Sequence, residues 1–126
     1  MQLTFLRAKL HRAMITAADP DYEGSISLDR ALCAAAGLWE FEQVDVYDIT
    51  NGARFTTYVI YGAGGQVQVN GAAARLVQIG DRIIVAAYAQ LAPEEIPAHS
   101  ARVVLLGSAN RITAAHTHPV RPPVPA

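Results

Sequence analysis

Apolar and polar residues alternate over much of this chain. In "LRAKLHR", Leu6, Ala8 and Leu10 alternate with Arg7, Lys9 and His11. That period of two predicts a strand with one apolar face and one cationic face. The alternation returns in "FEQVDVYDIT", residues 41–50, and "RFTTYVIY", residues 54–61, is rich in β-branched and aromatic residues. Asn51-Gly52 between them is a hairpin signal. In the second strand, Arg54, Thr56 and Tyr58 fall on one face and Phe55, Thr57 and Val59 on the other. "GAGG" at 62–65 predicts a turn, "QVQVN" a short strand and "GAAARL" at 71–76 a helical turn. Gly80-Asp81 predicts a turn before a buried strand, and "RVVLL" at 102–106 a last strand before a turn at "GSAN".

One segment breaks the pattern. Leu28, Leu32 and Ala35 recur at helical spacing, with Ser27 as the expected N-cap, Asp29 in the first turn and Gly37 as the stop. A short helix over 28–36 follows. The tail from residue 113 ends "HTHPVRPPVPA", and its four prolines predict a frayed or disordered end. The expected organisation is one mainly β domain over 1–112, with residues 113–126 as a Pro-rich tail. Six or seven short strands, one short helix and one or two helical turns suggest a closed barrel, because closure removes exposed edges. The pattern does not say which barrel.

Composition narrows the function classes. The chain has 126 residues, 52% of them hydrophobic and 17% charged, as a folded globule requires. A formal net charge of −1 gives no general attraction to nucleic acid or anionic membrane. The single cysteine, Cys33, has no disulfide partner, which fits a reducing compartment. The N-terminal run is interrupted by Arg7, Lys9, His11 and Arg12, unlike a secretory leader, so a cytoplasmic location is expected. Nine of the ten basic residues are arginine, leaving Lys9 as the only lysine.

Few residues carry candidate chemistry. Gly24-Ser25, in "DYEGS", is ordinary turn material. It is also a junction at which a serine hydroxyl can attack the preceding carbonyl, provided the fold strains that peptide. Elimination from the resulting ester and hydrolysis would leave a pyruvoyl group. Lys9 and His11, with Arg54, offer a cationic surface suited to carboxylates. Tyr58 is placed to give up a proton. The small residues after Asn70-Gly71 let a ligand approach the backbone. His116 and His118 lack further ligands, so no metal site is expected.

Taken in order, "KLHR" (9–12), "YEGS" (22–25), "TNGARFTTY" (50–58), "VNGAAA" (69–74) and "GDRIIVAAY" (80–88) resemble the aspartate 1-decarboxylase family over roughly residues 1–112. The resemblance implies a double-psi β-barrel assembled as a homotetramer, with active sites between subunits. It implies a proenzyme that cleaves itself between Gly24 and Ser25, turning Ser25 into a covalent pyruvoyl cofactor. It further implies conversion of L-aspartate to β-alanine and carbon dioxide in pantothenate synthesis, without pyridoxal phosphate or metal. Tyr58 matches the proton donor, Lys9 and Arg54 the carboxylate-binding pair, and Thr57, Gly71, Ala72 and Ala73 the substrate contacts; His11 shares a face with Lys9. A helper protein for maturation is left open. Position 47 departs from the family, with Tyr47 where Trp is frequent. Two rivals stand beside this reading: a non-enzymatic barrel module, and an enzyme whose Lys9 itself condenses with the substrate.

Overall fold

A computed structural model describes residues 1–124. It is mainly β: nine strands, one short helix and three 3-10 turns. The strands are β1 (Leu3–Met14), β2 (Ala17–Asp19), β3 (Ser25–Asp29), β4 (Gln43–Asp48), β5 (Arg54–Gly62), β6 (Val67–Asn70), β7 (Arg82–Leu91), β8 (Ser100–Leu106) and β9 (Ile112–Pro119); α1 is Arg30–Ala36. Pairing runs in the order β2-β6-β3-β5-β4-β7-β1-β8-β9, from one edge to another.

Period-two alternation builds the core. Leu10, Val44, Val46, Val67, Val69, Ile83, Val85 and Val104 are all fully or almost fully buried, each pair on one strand separated by one residue. Ile26, Leu28 and Val59 from the middle of the order join the same cluster. Both ends of the sheet therefore share one apolar interior. The chain between β1 and β2 joins them. Met14 pairs with Arg82 on β7; Ile15 donates to the Asp81 carbonyl, and Thr16 donates to the Val67 carbonyl on β6. The sheet mixes antiparallel pairs with the parallel pairs β1–β8, β2–β6 and β3–β5.

Three expectations are corrected. The helix starts at Arg30, not at residue 28, and Ser27 is not its cap. Residues 25–29 pair with β5 on one side and β6 on the other, and that double pairing holds them extended. The cap is Asp29, whose carboxylate accepts from the Ala31 N–H at 2.8 Å and from the Gly65 N–H at 2.8 Å. Gly37 ends the helix at φ +76, as its sequence position predicts. The expected disordered tail is also wrong over 112–119, where β9 pairs antiparallel with β8. Backbone pairing, not an apolar face, holds this largely exposed strand, and its proline stands at the strand end, where a missing N–H is tolerated. Residues 125–126 of that tail lie outside the described residues. The six or seven strands expected are nine, the additions including β9 and the three-residue β2.

The turn into β9 is held by a buried asparagine. Asn110, at φ +55, accepts from the Met14 N–H at 2.6 Å and donates to the carbonyls of Met14 at 2.9 Å and Gly65 at 3.2 Å. Replacing it strands a buried backbone donor and acceptors. Asn110→Ala and Asn110→Gly are both expected to lose about 2–4 kcal/mol in denaturant unfolding. Full stability in the glycine variant would place the role in backbone conformation instead.

Candidate active site

Ser25 opens β3 directly opposite Asn70, the last residue of β6. Both are 1% exposed. The Ser25 hydroxyl donates to the Glu23 carbonyl at 3.0 Å and accepts from Asn70 Nδ2 at 3.0 Å. The same amide reaches Ser27 Oγ at 3.1 Å. Asn70 Oδ1 accepts in turn from Gln68 Nε2 at 2.8 Å. A buried serine is thus fixed on both sides while the preceding Tyr22, Glu23 and Gly24 stand exposed.

Gly71 follows Asn70 with φ +79, where a side chain is strained. A Cβ built there would lie 2.6 Å from Gly24 Cα and 2.9 Å from Gly24 N. The backbones of the two glycines are in close approach, and no larger residue fits at 71 unless the Gly24-Ser25 junction moves. The 3-10 turn Gly71–Leu76 begins here; Ala72 is exposed and Ala73 packs on the core. Asn70 sits at that turn's cap position without capping it, because its Oδ1, the acceptor a cap requires, is taken by Gln68.

Tyr58 stands on the strand beside Ser25. Ile26 pairs with Val59, so one step back along both parallel strands brings Ser25 level with Tyr58. Tyr58 and Thr57 line an open groove of about 540 Å³ with Phe41, Gln43 and Thr56. The Phe41 and Tyr58 rings are 6.4 Å apart. Phe41 at the groove is 71% exposed, and Trp39, two residues before it, is 74% exposed.

Arg54 continues the outer face of β5, opposite Tyr47 on β4, and Thr56 lies opposite Asp45. Tyr47, Arg54 and Thr56 line one groove with Asp45 and Phe55, while Tyr58 lines the other groove with Thr56 and Thr57. The Arg54 guanidinium lies 4.1 Å above the Tyr47 ring. Among the described residues the one ion pair is Arg7 with Glu42, so neither Arg54 nor Lys9 is neutralised by a carboxylate.

Lys9 and His11 lie on β1, between β7 and β8. The buried alternates Ala8 and Leu10 flank Lys9, as the period predicts. His11 Nδ1 is buried without a hydrogen-bond partner. Burial, then the charges of Lys9 and Arg12, push the His11 pKa below its ordinary value. Within one chain the candidates form separate groups: Gly24, Ser25 and Gly71 with Tyr58 alongside, Arg54 on the outer face, and Lys9 with His11 on β1. No hydrogen bond joins Lys9, His11 or Arg54 to Ser25 among the described residues. Asn70 is a site residue that sequence reading passed over, although its Asn-Gly pair was noticed.

This geometry defines a small mixed-sheet protein in which a buried serine follows a glycine that lies in close approach to a second glycine. The family described as aspartate decarboxylase matches residues 1–113. The aspartate 1-decarboxylase of Caulobacter vibrioides is 56% identical over 114 residues, covering 89% of this chain and 97% of that protein. The aspartate 1-decarboxylases of Maricaulis maris (53% over 116 residues; 90% and 96% covered) and Xylella fastidiosa strain 9a5c (49% over 120 residues; 94% and 94%) are similar along nearly the whole chain. The chain belongs to the aspartate decarboxylase family, which places it among enzymes.

His11 also ties stability to pH. Its folded pKa lies below the unfolded value, near 6.5, so folding favours the neutral ring. Its contribution is complete above about pH 6.5 and falls as acid protonates the unfolded chain. Denaturation at pH 7.5 and 5.5 is expected to show a smaller acid loss in His11→Gln than in wild type. An equal loss in both would remove His11 as a cause.

Proposed function

We propose that this chain decarboxylates L-aspartate to β-alanine, using a pyruvoyl group made from its own Ser25. The observation that carries this reading is the junction itself: a buried hydroxyl held by Asn70, on a peptide whose glycine lies so close to Gly71 that only a glycine fits at 71. In maturation the Ser25 hydroxyl attacks the Gly24 carbonyl carbon and the Gly24–Ser25 C–N bond breaks, giving an ester. Loss of the Ser25 α-proton expels the Gly24 carboxylate and leaves a dehydroalanine, and water then releases ammonia and leaves the ketone. The glycine at 24 suits the distorted approach, and the exposed loop before it lets the new carboxylate depart into solvent.

The residues present fit such a group. Ser25 starts a strand, so the new chain end would stay paired with β6 beside Asn70. When formed, the group supplies the electron sink that loss of carbon dioxide from an α-amino acid requires. The remaining roles belong to this chain. Lys9 and Arg54, both without a carboxylate partner, hold the substrate carboxylates. Tyr58, level with Ser25, returns a proton to the α-carbon. Thr57, Gly71, Ala72 and Ala73 offer small contacts beside it. His11, kept neutral by burial and by Lys9, adds no second charge against that lysine.

That no hydrogen bond joins Lys9 or Arg54 to Ser25 among the described residues of one chain supports a site completed between copies, in a homotetramer. The exposed Trp39 and Phe41 beside Tyr58 give that assembly apolar surface to cover. The parallel pairs stitched through residues 14–17 accord with a double-psi barrel. β-Alanine for pantothenate synthesis in the cytoplasm is the role this assigns. No helix among the described residues is long and apolar enough to cross a membrane.

Intact-mass measurement of the purified protein tests the reading. Wild type is expected as two fragments, residues 1–24 and 25–126, the larger without a free amine at its start. Ser25→Ala should remain one chain and release no carbon dioxide from aspartate; activity in that variant would favour Lys9 as the condensing group. Tyr58→Phe should be cleaved normally but turn over at least roughly 100-fold more slowly. Gly71→Ala, which displaces the junction, should slow cleavage; unimpaired cleavage would show that the close approach is not needed.

A further inference from the structure

Arg54 is positioned without being neutralised. Its guanidinium lies over the Tyr47 ring, and the nearest acidic neighbour on that face is otherwise engaged. Asp45 Oδ1 accepts from Thr56 Oγ1 at 2.7 Å, and Asp45 Oδ2 lies at the long distance of 3.5 Å from the Tyr47 hydroxyl. An aromatic face attracts the cation while leaving the edge N–H groups of the guanidinium available for a bidentate contact. A carboxylate in that place would consume them. What remains is to fix the ring. The Tyr47 hydroxyl meets the Tyr88 hydroxyl at 2.8 Å, and Tyr88 comes from β7, on the far side of β4 from Arg54. Tyr88 is a large, partly exposed residue that the proposed reaction does not use.

We propose that Tyr88 is a positioning residue for substrate carboxylate recognition, its hydroxyl anchoring Tyr47 as the platform on which Arg54 rests. The inference rests on Arg54 being a carboxylate-binding group. The three side chains come from three adjacent strands, so the anchor ties guanidinium placement to the β7–β4–β5 register. The contact with Tyr88 is the largest of the causes that push the Tyr47 pKa up to about 12, followed by burial.

Tyr47 offers a cation-binding face and a hydroxyl, and Tyr88 supplies a partner for that hydroxyl. Tyr47 and Tyr88 thus act as one unit, which a double-mutant cycle can expose.

The test uses the mature protein and succinate, which carries two carboxylates and no amine, titrated by calorimetry. Tyr88→Phe and Tyr47→Phe should each weaken succinate roughly three- to fivefold, the scale of one lost hydrogen bond. The double variant should be no weaker than either single one, because both remove the same hydroxyl pair. The KM for aspartate should rise by the same factor in each variant, with kcat held within about twofold. Should Tyr88→Phe fail to fold, Tyr47→Phe carries the same expectation. Equal succinate affinity in wild type and variants, additive losses in the double variant, or no succinate binding to wild type would overturn the proposal. Succinate binding without aspartate turnover in cleaved wild type would instead count against the proposed reaction and leave the positioning role supported.

Discussion

The pairing of Ser25 with Asn70 is the constraint on which the site depends. It is an antiparallel register between two short strands, and a slip of one residue would turn Ser25 to the opposite face. Register does three things together. It buries the hydroxyl, brings a side-chain amide within 3.0 Å of it, and sets Gly71 against Gly24. None of these is a property of the serine alone. Asn70 is costly to bury unless its donors and acceptor are matched, and two serines and Gln68 match them. The polar cluster is satisfied internally, so it can sit in an apolar interior without water.

The rest of the molecule holds that register. β3 lies between β5 and β6, paired on both sides, and its residues 25–28 are all buried. Asp29 closes the strand by capping the helix and gripping Gly65. The sequence 25–30 therefore runs from strand to helix without a free loop. Exposure before residue 25 and burial after it place the junction on the boundary between an exposed turn and a buried strand. That boundary lies one strand away from Tyr58; Arg54 begins the same strand as Tyr58, and Lys9 and His11 lie further along the sheet on β1.

Period-two alternation was readable because it is local. Ala8, Leu10, Val44, Val46 and Val59 are buried where the pattern puts them. What failed was non-local. Ser27 has good capping chemistry, but two neighbouring strands hold it extended, and the helix begins later at Asp29. β9 has no apolar stripe; its residues are almost all exposed, and only pairing with β8 orders them. The shared groove of Arg54 and Thr56 was legible from spacing. Asn70 was not, because an Asn-Gly pair reads as a turn until its partner across the ladder is known. The anchoring of Tyr47 by Tyr88 spans 41 residues and has no local signature.

The segment that would become the short fragment is not peripheral. β1 is embedded between β7 and β8, and β2 is paired with β6. Scission after Gly24 would cut a surface turn and leave every ladder standing, so the two pieces would remain a single body. Their recombination after denaturation would nonetheless become a second-order encounter, whereas the uncut chain refolds in one molecule. The molecule would then owe its persistence to slow unfolding. Tethered assembly would be available only once, before the bond is spent.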